Sequence, residues 1–229
     1  MHPGVALLIS YASGSIPAAW LAGKSAGVDL RKEGSGNLGA TNVLRVLGPG
    51  IGAAVFAVDV AKGAVPVYFV APMTGQSGWT LTLIQVLCGA VAMLGHARPM
   101  FLGFTKGGKG VATACGVFLA LAPWQAGVSL LTFAVVVYAS GFVSLVSMSG
   151  AIALPVALIA TYGVVSPLVL VGLLTTAFVT WTHRPNIERL RAGTEYQFSK
   201  ALGLGIAPSL GVGALVLAAA STWLFMRSH

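Results

Sequence analysis

Long apolar runs, each closed by a short polar stretch, follow one another along this chain, and nothing else in it limits the fold so severely. They lie near residues 4–23, 51–73, 79–95, 111–123, 126–143, 147–163, 166–182 and 203–226. A helix needs about 20 apolar residues to cross the hydrocarbon core of a bilayer, and most of these runs approach that length. The run over 111–123 is shorter, so it starts earlier, stays short, or crosses a locally thinner bilayer. Only 8% of the 229 residues are charged and 56% are hydrophobic, whereas soluble domains carry about 25% charged residues. The expected fold is an all-α polytopic transmembrane helical bundle. Runs this continuous argue against a barrel, whose strands alternate. The 30 glycines suit helices whose backbones approach closely.

Charge sets the orientation. Lys24, Arg31, Lys32 and Arg45 lie in the first connection, Arg98, Lys106 and Lys109 in the third, and Arg184, Arg189, Arg191 and Lys200 in the seventh. The second, fourth and sixth connections hold no Lys or Arg. Positive charge concentrates on the cytoplasmic side of membrane proteins, so the odd connections are expected there and the N-terminus outside. An eighth span would put the C-terminus outside too, with Arg227 a mild exception. Only His2 precedes the first run, without the cations of a signal peptide, so that run is expected to be retained. The unusual connections thus share one face, as suits a site open to the cytoplasm better than a channel.

Three of these connections carry residues suited to chemistry. Gly34-Ser35-Gly36-Asn37-Leu38-Gly39-Ala40-Thr41-Asn42 is a run of glycines and small polar residues, followed by Arg45. Such a loop between spans must line something, and backbone amides at short spacing beside a fixed cation suit an anion. Gly95 to Thr113 contains His96, Lys106, Gly107, Gly108 and Lys109 directly before a helix, where amides, a helix end and ammonium groups converge on a phosphate. A plainer reading is a basic connection touching lipid headgroups. His183 to Glu195 reads as a helix exit and a short amphipathic turn. Its arginines suit anionic lipid, whereas His183 and Asn186 suit a substrate hydroxyl or phosphate.

Asp59 and Lys62 lie inside the second span, three residues apart on one helical face, where an ion pair is the expected structural role. Cys88 and Cys115 sit in apolar surroundings and read as small buried hydrophobes. Gly34 to Gly39 matches the letters of a dinucleotide fingerprint, but membrane helices stand where that motif needs a βαβ unit. Gly107-Gly108-Lys109-Gly110 lacks the spacing of a P-loop. No His, Asp or Glu grouping has metal-ligand spacing, and no cofactor is expected.

Taken together, Asp29-Leu30-Arg31, Gly34 to Gly48, Asp59-Val60-Ala61-Lys62-Gly63, Gly95 to Thr113, Ser144-Leu145-Val146-Ser147 and His183 to Glu195 resemble the bacterial acyl-phosphate-dependent glycerol-3-phosphate acyltransferases, the PlsY family. The resemblance implies a seven-spanning inner-membrane enzyme with its active site facing the cytoplasm. It would move a fatty acyl group from acyl phosphate to the 1-hydroxyl of glycerol 3-phosphate, giving lysophosphatidate and phosphate. Its partners would be those two substrates and membrane lipids, with no nucleic acid. The chain departs from the pattern in having both Thr105 and Lys106 between Phe104 and Gly107, and Gly141 where arginine is common. The tail after Lys200 is expected to add an eighth helix to an acyltransferase domain of residues 1–200.

On this basis Ser35, Arg45 and Lys109 are expected to hold glycerol 3-phosphate, with His183 and Asn186 orienting its glycerol part. Gly36, Asn37, Gly39, Thr41 and Asn42 are expected to receive the acyl phosphate. His96, Lys106, Gly107, Gly108, Ser144 and Glu195 complete the substrate-binding candidates. An acyl phosphate has a good leaving group, so positioning and charge stabilisation matter more than a covalent intermediate. His183, His96 and a substrate phosphate are the candidate proton acceptors, the last being favoured. The rival class is a carrier of a phosphorylated metabolite, which internal repeats would support, and none is visible.

Overall fold

The computed structural model describes residues 1–197, all of its regular structure there is helical, and two compact units meet in the chain after Ala126. The expected helix over 203–226 and the division at residue 200 lie outside the described residues.

In the first unit the expected span over 4–23 is two helices, α1 (Pro3–Gly14) and α2 (Ala18–Ser25). Pro17, at the break, has no N–H to continue the ladder. The Ile16 carbonyl at this break accepts a hydrogen bond from Lys62 Nζ at 3.0 Å. A short helix, α3 (Ala40–Leu47), then packs Val43, Val46 and Leu47 into a cluster with Ala19, Leu30, Leu38 and Val55. Gly48 turns with φ of 90° into α4 (Pro49–Val65), which opens on a proline, as a first helical turn readily accepts.

α4 continues through a widened turn, Pro66–Val70, and a tight one, Pro72–Thr74. Pro66 cannot donate to the Lys62 carbonyl one turn back, and Ser13 Oγ reaches that carbonyl from α1 at 3.4 Å. Two further helices, α5 (Gly78–Ala97) and α6 (Val111–Leu121), complete the packing. α1 lies along α5 and α4 along α6. A β-carbon on Gly14 would enter the Ala92 backbone, and one on Gly63 would enter the Thr113 carbonyl, so these pairs meet at backbone contact.

Chain passage into the second unit is through α7 (Pro123–Ser140), followed by α8 (Val143–Tyr162), α9 (Pro167–Thr182) and α10 (Arg184–Arg191). Pro155 lies inside α8 and, having no N–H, frees the Ala151 carbonyl, which accepts from the Thr176 hydroxyl of α9. Proline-freed carbonyls in both units are thus met by a hydroxyl from a neighbouring helix, the repair that a lipid environment demands.

Among the described residues, five helical stretches are long and apolar enough to cross a membrane: Pro3–Ser25, Pro49–Thr74, Gly78–Leu102, Pro123–Ser140 and Val143–Tyr162. Val111–Leu121 and Pro167–Thr182 are apolar but shorter. Cys88 is buried and Cys115, expected to be buried, is only partly so; both thiols are free.

Candidate active site

The first glycine run is shaped by one side chain. Asn42, 1% exposed near the start of α3, accepts the Ser35 N–H at 2.8 Å and donates to the Leu30 and Glu33 carbonyls at 3.2 and 3.1 Å. Gly34 and Gly36, with φ of 59° and 67°, make the left-handed turns that this wrapping needs. Asn42, expected on the acyl phosphate, therefore holds the loop itself, and the Gly36 amide is likewise engaged, donating to the Glu33 carbonyl at 3.0 Å. Ser35 and Thr41 stay exposed, Asn37 is half-buried and Gly39 is buried at the start of α3. Arg45 lies three residues beyond Asn42 on α3, half-buried, with its side chain beside Gly34.

The second run folds back on the end of α5. Gly107 donates to the Ala97 carbonyl at 2.9 Å and Gly108 to the His96 carbonyl at 3.2 Å. These amides, expected to face phosphate, are spent within the fold, and what the two glycines supply is space. A β-carbon on Gly108 would overlap the His96 imidazole and come within 2.8 Å of the Leu38 carbonyl. The two glycine runs therefore meet at this point. Lys109, half-buried, follows at once, and Gly110 with φ of 80° opens α6; Lys106 is exposed.

Beneath them lies a buried charged centre. Asp59, 2% exposed, pairs with Lys62 Nζ at 2.8 Å. His96 Nδ1 stands 3.6 Å from the same carboxylate oxygen. His96 comes from α5 and Asp59 from α4, and no local spacing in the sequence connects them. Asp59, Lys62 and His96 form the polar floor of a narrow cleft whose walls include Pro17, Trp20, Leu38 and Leu102. Such a cleft is polar at its base and apolar at its sides.

The second unit builds its cluster from side chains. His183, at the junction of α9 and α10, is 3% exposed and its Nδ1 lies 2.7 Å from the Val179 carbonyl. In the neutral ring that contact requires the proton on Nδ1 and leaves the lone pair on Nε2. Glu195 accepts from Asn186 Nδ2 at 2.7 Å and from Arg189 Nε at 2.6 Å, one bond on each carboxylate oxygen. Burial pushes the Glu195 carboxyl up, but the bonds from Asn186 and Arg189, the nearby Ser144 hydroxyl and the guanidinium charge outweigh it and hold the group below the usual glutamate range. Glu195, expected on substrate, thus clamps α10 and orients Asn186. Ser144 is buried at the start of α8. No three His, Cys, Asp or Glu side chains gather as metal ligands among the described residues.

Membrane-length helices of this kind define a class, the helical integral membrane proteins. The family model described as "Glycerol-3-phosphate acyltransferase" matches residues 4–193, and the chain belongs to that family. A glycerol-3-phosphate acyltransferase of Synechococcus sp. (strain CC9902) is 48% identical over 191 residues, covering 82% of this chain and 92% of that protein. The one from Desulfotalea psychrophila is 45% identical over 196 residues, covering 84% and 96%. Among solved structures, the glycerol 3-phosphate form of PlsY, an integral membrane glycerol 3-phosphate acyltransferase, superposes with a TM-score of 0.80 at 36% identity, covering 89% of this chain and 98% of that one. Its lysophosphatidic acid form gives 0.75 at 35%, covering 85% and 94%.

Proposed function

We propose that this enzyme transfers a fatty acyl group from a long-chain acyl phosphate to the 1-hydroxyl of glycerol 3-phosphate at the cytoplasmic face of the bacterial inner membrane. The observation that carries the reading is the meeting of the two glycine runs at Gly108, beside Lys109 and above the Asp59–Lys62 pair. Family membership supports the acceptor, since PlsY has been solved in a glycerol 3-phosphate form and a lysophosphatidic acid form. The alternation of basic and uncharged connections supports the cytoplasmic side.

In this reading Ser35, Arg45 and Lys109 bind the phosphate of glycerol 3-phosphate, and His183 and Asn186 orient its hydroxyls. The 1-hydroxyl oxygen attacks the acyl carbonyl and forms the new ester bond. The bond from that carbon to the phosphate oxygen breaks, inorganic phosphate leaves, and the hydroxyl proton passes to a phosphate oxygen. Fixed cations lower the barrier by stabilising negative charge as it moves onto the leaving phosphate. His183, with its lone pair on Nε2, is the alternative acceptor for the proton.

The test is phosphate release from palmitoyl phosphate by detergent-purified protein. Release that requires added glycerol 3-phosphate, matched by one equivalent of lysophosphatidate, is expected. Binding of glycerol 3-phosphate without product would leave a carrier and end the proposal. Transfer from acyl-CoA alone would overturn the choice of donor. Replacing His183 by Gln separates the two proton acceptors: loss of the pH dependence of kcat together with turnover assigns the proton to His183.

A further inference from the structure

Phe104 is the sole non-glycine residue with positive φ among the described residues, at 59°, a conformation costly for a residue with a β-carbon. Core burial does not explain it, because the side chain is 61% exposed. Local bonds hold the backbone in place: the Phe104 N–H donates to the Pro99 carbonyl at 3.0 Å, and the ring stacks on Tyr11 with centroids 6.4 Å apart. Tyr11 Oη in turn donates to the Arg98 carbonyl at 2.6 Å. Phe101 and Met100 are exposed beside it, at 58% and 41%.

This short segment has two faces. Pro99, Leu102, Gly107 and Gly108 line the cleft above Asp59, Lys62 and His96, whereas Met100, Phe101 and Phe104 lie outside its lining and are exposed. The segment leaves the end of the apolar stretch Gly78–Leu102, and the exposed cations Arg98 and Lys106 flank it. Apolar tips between cations are characteristic of a chain lying at the headgroup boundary with its tips in the acyl layer. A long-chain acyl phosphate keeps its chain in that layer while its carbonyl must reach the cleft.

We propose that Met100, Phe101 and Phe104 form the rim over which the donor's acyl chain passes from the leaflet into the cleft, and that Phe104 sets the preference for long chains. The inference rests on acyl phosphate being the donor. A strained aromatic is kept because it extends the apolar wall outward into lipid, where glycine would relax the backbone and end the wall at Leu102.

Phe104→Gly makes the test clean, since glycine relieves the backbone and should leave the thermal midpoint in detergent unchanged or higher. KM for hexanoyl, decanoyl and palmitoyl phosphate is measured for the wild type, Phe104→Gly and Phe101→Ser in mixed micelles. The expected result is a rise of about tenfold in KM for palmitoyl phosphate in Phe104→Gly, a smaller rise in Phe101→Ser, and values for hexanoyl phosphate and glycerol 3-phosphate within about twofold of wild type. Equal changes at all chain lengths, or none, would overturn the rim. A wild type that accepts no acyl phosphate would overturn the donor reading and the rim with it, so the two failures are distinguishable.

Discussion

The two units hold their candidate residues by different means. In the first, glycines at 34, 36, 107 and 108 let backbone and rings come together, and the loops depend on side chains that are missing as much as on the bonds of Asn42. In the second, Asn186, Arg189 and Glu195 hold one another through side-chain bonds, and the neighbouring Gly193 has nothing within 4 Å of where a β-carbon would lie. A site of the first kind should fail when atoms are added, and one of the second kind when particular groups are taken away.

The largest expected effect tests what lies beneath the first site. Lys62→Met leaves the Asp59 carboxylate buried without its cation and should cost about 3–5 kcal/mol of stability, read as a lower thermal midpoint in detergent. The Asp59→Asn/Lys62→Met double variant should recover much of that loss, and failure to do so would mean that the Ile16 bond matters more than the pair. Next, Lys109→Met and Arg45→Met should each raise KM for glycerol 3-phosphate by about 10- to 100-fold, the loss expected for a hydrogen bond to a charged group. A loss confined to kcat would instead assign them to the leaving phosphate.

Gly108→Ala against Gly193→Ala sharpens the contrast between the units. The first drives a methyl into His96 and should cost about 1–3 kcal/mol with a clear loss of activity. The second meets open space and bears only the cost of a left-handed alanine at φ of 69°, about 1 kcal/mol, with activity kept. The smallest effect is at Glu195→Gln, about 0.5 kcal/mol at neutral pH because Arg189 is 38% exposed. Since the Glu195 carboxyl is held below its unfolded value, its contribution is present above the usual glutamate range and fades as pH falls through the lowered one. The difference between wild type and Glu195→Gln should therefore close on acidification, as urea or thermal titrations at a series of pH values would show.

Much of the architecture was legible in hydropathy alone, because lipid leaves continuous apolar helices as the main option for a chain of this composition. Hydropathy conceals the break at Pro17 in the first span, because it averages over a proline that leaves the run apolar. The spacing of Asp59 and Lys62 revealed their pairing, since both lie on one helix. His96 as a third member was hidden, because its approach depends on how α5 packs beside α4. Asn42 and Glu195 show the limit most clearly. Polar residues in a glycine-rich or basic motif look like ligands for substrate, but only the fold reveals that their hydrogen bonds go to the protein itself.

The contacts of Gly14 with Ala92 and of Gly63 with Thr113 set a limit on how this scaffold can change. When two side chains collide, a lineage can shorten either one and carry on. Here each glycine faces main chain, which no codon can trim, so an added methyl has no compensating partner mutation. Variation in such a protein is directed outward, to the skin that lipid touches, while the seams between these helix pairs stay closed whatever acyl group the enzyme comes to handle.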